Sequence, residues 1–80
     1  KMLQVKSTAI RMENGEVVTG KYPHTRHALI PANGKKGFLL SDGSFAKRKK
    51  AAKVAYRAGQ IHDHIKKLHS HDLRQQDPQG

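Results

Sequence analysis

Eighty residues, 35% apolar, 5% aromatic and without cysteine, allow one small domain, exclude disulfides and thiolate-bound zinc, and leave partner subunits, a bound ligand or marginal stability, of which self-association is expected. No apolar run reaches the roughly 18–20 residues of a membrane span and no charged-then-apolar leader opens the chain at Lys1, so a soluble, cytoplasmic protein with a native start further upstream is expected. Sixteen Lys/Arg against six Asp/Glu give a net charge of +10, a field that attracts nucleic acid, nucleotide phosphates, acidic proteins or anionic lipid without choosing among them.

From Leu3 to Met12 apolar and polar residues roughly alternate, as in a half-buried strand, with Leu3, Val5 and Ala9 on one side and Ile10 and Met12 on the other. Asn14-Gly15 supplies the pair that two-residue hairpin turns favour, where both central residues take positive φ, and Val17-Val18-Thr19 returns as a second strand. Between Gly20 and Lys36 two prolines and Asn33-Gly34 leave room for a single helical turn over 26–30, ahead of Pro31. Gly37-Phe38-Leu39-Leu40 reads as a third strand, closed by a turn at Ser41-Asp42-Gly43-Ser44. Lys47 to Ala58 is rich in helix-forming Ala, Lys and Arg, and Gly59 stands where a left-handed cap belongs. Ile61, Ile65, Leu68 and then Asp72 or Leu73 follow at helical spacing as a thinner second helix with gaps in its stripe, and Gln75 to Gly80 reads as a frayed end. The expected class is α+β: a small antiparallel sheet of about three strands followed by one long and one shorter C-terminal helix. Residues 1–61 form the single domain and 62–80 a histidine-rich helical extension and tail.

The charge excess belongs to residues 1–61; in residues 62–80 three basic residues balance three acidic ones. On the wheel of the long helix, Ala51, Ala52, Val54, Ala55 and Ala58 share one arc, while Lys49, Lys50, Lys53 and Arg57 gather on another. With Lys35 and Lys36 these four make up the expected basic surface, whose plainest role is solvation. Arg48 falls inside the alanine arc, so its guanidinium is expected to turn inward beside the exposed N–H groups of the helix start, an anion-attracting arrangement. Pairing with Asp42, or reaching past the alanines to solvent, would be its structural alternatives. Phe45 stands three residues earlier, where it can stack on a base or on the guanidinium. Arg26-His27, in a loop bounded by glycine and proline, adds a bidentate phosphate grip and a donor for phosphate or ribose.

Six histidines raise metal binding, yet His62-Asp63-His64 and His69-Ser70-His71 have the wrong spacing for one helix face, and no metal site or cofactor is expected. There is no GxxxxGK[ST] loop, GxSxG elbow or HExxH, and the acidic groups are few and scattered. Binding is expected, not catalysis.

Ala9-Ile10-Arg11, Thr19-Gly20, Arg26-His27 and the run from Gly37-Phe38 through Ser41, Gly43, Phe45, Arg48 and Ala51 to Ala58-Gly59-Gln60-Ile61 resemble a group of short phage-encoded proteins, the first Thoeris anti-defence family. The resemblance covers about residues 7–61. It implies an α+β protomer that assembles into dimers or higher oligomers and sequesters NAD-derived signal nucleotides, such as cyclic ADP-ribose isomers, without cleaving them in the host cytoplasm. It also implies that Arg26, His27, Phe45 and Arg48 line or support the ligand pocket. Lys47 stands where that family tends to carry an Asp or Asn helix cap, and the loop from His27 to Gly37 is short. Two other classes remain open: a nucleic-acid-binding protein using the basic helix over 47–58, and an inhibitor that blocks a host defence enzyme. Scarce aromatics weigh against stacking on single strands.

Overall fold

The structure, a computed structural model, describes residues 2–74; the stretch Gln75 to Gly80, read above as a frayed end, lies outside the described residues. Four antiparallel strands, β1 (Val5–Arg11), β2 (Val17–Thr19), β3 (Lys35–Leu40) and β4 (Phe45–Lys47), form one sheet in the order β2-β1-β3-β4. A 3-10 turn (His27–Leu29) interrupts the β2–β3 connection; α1 (Arg48–Arg57) follows β4 directly, and α2 (Ser70–Arg74) closes the described chain. The class is α+β, with one strand more than the sequence pattern predicts. Phe45–Lys47, too short to show an alternation of its own, becomes a strand because β3 supplies its ladder: Gly37 opposes Lys47, Phe38 opposes Ala46 and Leu39 opposes Phe45. The C-terminal helix is also shorter than predicted, since residues 61–69 run as bends and only 70–74 coil.

The β1–β2 hairpin differs from the expected two-residue turn. Gly15 alone takes positive φ (92°), Asn14 does not, and Gly15 N–H donates to Met12 O at 2.9 Å while Met12 N–H donates to Glu16 O at 2.8 Å. This is a three-residue loop with glycine at its left-handed position. Asn14 secures it by accepting from the Glu16 N–H at 3.0 Å.

A bulge shifts the register of β1 against β3 between Val5 and Ser7, with Val5 opposite Leu40 and Ser7 opposite Leu39. One extra residue reverses which face each later side chain takes. Val5, Thr8 and Ile10 therefore share a face, and Ala9 turns to the other, contrary to the alternation read from the sequence. On the first face Val5, Phe38, Leu40 and Ala46 meet Ala51, Ala52 and Ala55 of α1, with Ile61, Leu68 and Leu73 completing the core. Alanines contribute little apolar area themselves but let the helix close on the sheet, where burial of Phe38 or Leu40 is worth roughly 1.5–3 kcal/mol each.

The C-terminal end of α1 locks this arrangement. Gly59 (φ 74°) donates to Tyr56 O at 3.1 Å and Gln60 N–H to Ala55 O at 2.8 Å, the paired bonds of a glycine-terminated helix. The Gln60 amide then accepts from Val5 N–H and donates to Val5 O, both at 2.8 Å, serving as a substitute strand where β2 is too short to reach. At the other end of α1, Arg48 O accepts from Leu68 N–H at 3.1 Å and holds the histidine-rich stretch onto the domain. Among the described residues no helix is long and apolar enough to cross a membrane.

Candidate functional site

The loop after β2 is shaped by its own short-range bonds. Thr25 N–H donates to Tyr22 O at 3.1 Å and Tyr22 N–H to Thr25 Oγ1 at 2.7 Å, closing a turn around Pro23. Gly20 is required there, because a Cβ would stand 2.4 Å from Thr25 Cγ2. The turn is fastened to β1 through Thr8, whose N–H donates to Pro23 O at 2.9 Å and whose hydroxyl donates to Thr25 O at 2.6 Å. Thr8 is fully buried, so this anchor spends no polar group unpaired.

So fastened, the loop faces α2 across a cleft of about 490 Å³, lined by Lys21, Tyr22, His24, Arg26, Leu29 and His71 among others. Tyr22 and His24 stack with centroids 5.8 Å apart and planes 17° apart, and Lys21 Nζ lies 5.5 Å from the Tyr22 centroid. Tyr22 and Leu29 are 53% and 70% exposed, apolar surface held open to solvent beside two permanent cations. Among the described residues no carboxylate lines the cleft. Next to the lining residue His71, Asp72 accepts from His69 N–H at 2.8 Å and stands 3.5 Å from His71 Nε2. The volume falls within the roughly 300–1,000 Å³ of ligand sites, and the lining offers stacking surface and anion-binding groups together.

The four side chains singled out from the sequence are dispersed. Arg26 lines the cleft. His27 is buried with Nε2 2.8 Å from Gly37 O, and its ring meets Phe38 edge-on at 5.4 Å. A carbonyl only accepts, so Nε2 carries the proton and is already committed. Burial first, then the charges of Arg48, Lys36 and His69, outweigh the Gly37 carbonyl and hold the imidazole below its ordinary pKa. Arg48 opens α1 half-buried; its Nε is buried and has no hydrogen-bond partner among the described residues. The helix it opens has no side-chain cap and no acidic residue in its first turn.

Phe45 belongs elsewhere. It pairs with Leu39, one residue out of phase with Phe38 and Ala46, so it projects from the sheet face opposite the core. Its ring crosses Gly37, where a Cβ would stand 2.5 Å from Cζ, and Arg11 Cζ lies 5.1 Å from its centroid. Lys35, Lys36, Lys49, Lys50, Lys53 and Arg57 are all exposed. No group of three or more His, Asp or Glu able to hold a metal occurs among the described residues.

Sequence reasoning passed over Lys21, Tyr22, His24 and His71. Lys21-Tyr22-Pro23-His24, basic and aromatic residues interleaved around a proline, was a readable signal; His71 was not, since only the fold brings it to the loop. No curated protein and no solved structure matches the chain. The family model described as Phage T4 y16D protein matches residues 4–77. That span takes in every strand, the cleft and both helices, and the chain therefore belongs to the phage T4 y16D protein family.

Proposed function

We propose that this phage-family protein captures a nucleotide-derived signal of the cyclic ADP-ribose kind and holds it intact. One observation carries the reading: a cleft of nucleotide size sets the Tyr22–His24 stack beside Lys21 and Arg26, with no carboxylate among the described residues that line it. A base lies against the stacked rings, and phosphate oxygens meet the ammonium and the forked guanidinium. The resemblance over residues 7–61 supports the same ligand class. The cleft is open to solvent on one side, and a second protomer closing over it is the role we assign to self-association. Capture without cleavage is part of the proposal and rests on the same resemblance.

Calorimetry with cyclic ADP-ribose isomers, ADP-ribose and NAD tests the proposal, followed by chromatography of the ligand released on denaturation. Stoichiometric binding and recovery of the intact nucleotide are expected, with native mass spectrometry showing the complex as a defined oligomer. Arg26→Glu, at an exposed position, is expected to weaken binding at least about tenfold, the scale of one charge-assisted contact, while leaving the melting temperature in place. Absence of both heat and thermal shift across the panel would overturn the proposal.

A further inference from the structure

Among the described residues, one face of the sheet has no helix packed on it. α1, Leu73 of α2 and His27 of the 3-10 turn all lie against the face of Phe38 and Ala46. The other face presents Arg11 from β1, Val17 from β2, Lys35 and Leu39 from β3, and Phe45 and Lys47 from β4. Ala9 and Gly37 at its centre are buried, while around them Val17 is 37% exposed and Leu39 and Phe45 are half-buried, with no described element packed over them.

We infer that this face is a binding site for single-stranded nucleic acid, in which the Arg11 guanidinium, 5.1 Å over the Phe45 centroid in the free protein, yields the ring to a stacking base and meets the neighbouring phosphates together with Lys35 and Lys47. Arg11 and Lys35 are direct cross-strand partners, and like charges in that position repel unless an anion lies between them. Among the described residues no carboxylate stands within ion-pair distance of Arg11, Lys35 or Lys47. Gly37 beneath the Phe45 ring lets the aromatic lie across the strands, since any side chain there would push it away. Beyond Arg11 and Lys35 the face runs into an open depression of about 870 Å³ edged by Asn33 and Gly34, where Glu13 supplies a carboxylate along the path.

Charge decides the occupant. A second copy docked through the same face would set its Arg11, Lys35 and Lys47 against these three with no counter-charge, a costly burial. A polyanion supplies that charge at regular spacing. A shallow platform built on one half-buried ring, over which the Arg11 side chain lies, requires bases whose faces are free, which a single strand offers and a duplex does not.

The test is fluorescence anisotropy with labelled oligo-dT and oligo-rU of about 12 nucleotides, within the span of one small single-strand site. Binding of either oligomer is expected, with a log–log salt slope near about −2 from three phosphate contacts. Phe45→Leu is expected to weaken binding about tenfold without altering that slope or the melting temperature, and Phe45→Trp to retain wild-type affinity. Lys35→Glu is expected to reduce the slope by about 0.7 or more. The inference is overturned if neither oligomer binds, or if Phe45→Leu binds as tightly as wild type. It is equally overturned if Lys49→Glu and Lys53→Glu on α1 account for the loss, or if Phe45→Leu instead dissociates a dimer. The face shares no residue with the cleft of Lys21 and Arg26, so nucleotide calorimetry and oligonucleotide anisotropy succeed or fail independently.

Discussion

His27 sits where an imidazolium would be costly. Its ring is enclosed, its Nε2–H is spent on Gly37 O, and Arg48, Lys36 and His69 bring further positive charge to bear on it. In the unfolded chain the imidazole takes up a proton near pH 6.5, whereas the folded chain resists protonation until lower pH. The unfolded state thus binds more protons in that window, so the contribution of His27 to stability is whole above pH 6.5 and lost as pH falls toward the folded pKa. Thermal melts between about pH 7.5 and pH 5 are expected to show a falling midpoint, and His27→Gln, which keeps an N–H for Gly37 O, to flatten that slope. A wild-type midpoint constant over this range would mean that His27 is charged in the folded state. The Arg26-His27 pair is legible in the sequence as loop chemistry, but not the division of labour within it. One member reaches the cleft and the other is consumed by a carbonyl ten residues away.

At the scale of elements, α1 begins against its own electrostatics. Arg48, Lys49 and Lys50 occupy the first turn, at the positive end of the helix dipole, and Lys47 at the cap has extended backbone (φ −72°, ψ 170°) with no side-chain bond to the helix N–H groups. Lys47→Asp places an acceptor and a negative charge at that position in the backbone conformation a cap requires. It is expected to stabilise the protein by about 1 kcal/mol, raising the midpoint by roughly 4–8 °C in a domain of this size. An unchanged midpoint in scanning calorimetry would count against the missing cap. The helix itself was legible, because Ala, Lys and Arg favour it locally and Gly59 ends it with its own left-handed φ. The parity of β1 was not, because the bulge between Val5 and Ser7 answers to the β3 ladder and leaves no trace in the alternation. Phe45 has the same history: a three-residue strand owes its existence, and the face of its aromatic ring, to the neighbour with which it pairs.

For the whole molecule, a charge of +10 on 80 residues means net self-repulsion in the compact state. The ion pairs among the described residues join only His69 and His71 to Asp72, so salt has little attraction to screen and much repulsion. Raising NaCl from about 20 mM to about 300 mM, which shortens the screening length from tens of ångströms to below about 10 Å, is therefore expected to raise the melting temperature. A decrease on adding salt would show that attractive pairs dominate.

What the sequence by itself determined are properties written in near neighbours: the α+β class, the places of the glycine turns, the length of α1 and its glycine end, the basic field and the absence of a thiol. Each depends on residues within a few positions of one another, where propensity, turn chemistry and charge count act directly. Tertiary structure alone decided which face each strand residue takes, how Gln60 completes the ladder of Val5, why Phe45 and His27 part company, and how residues 21–29 meet residues 70–71 across a cleft. Those outcomes turn on register and on contacts between distant segments, and a single inserted residue such as the β1 bulge reverses them while leaving the local pattern almost unchanged.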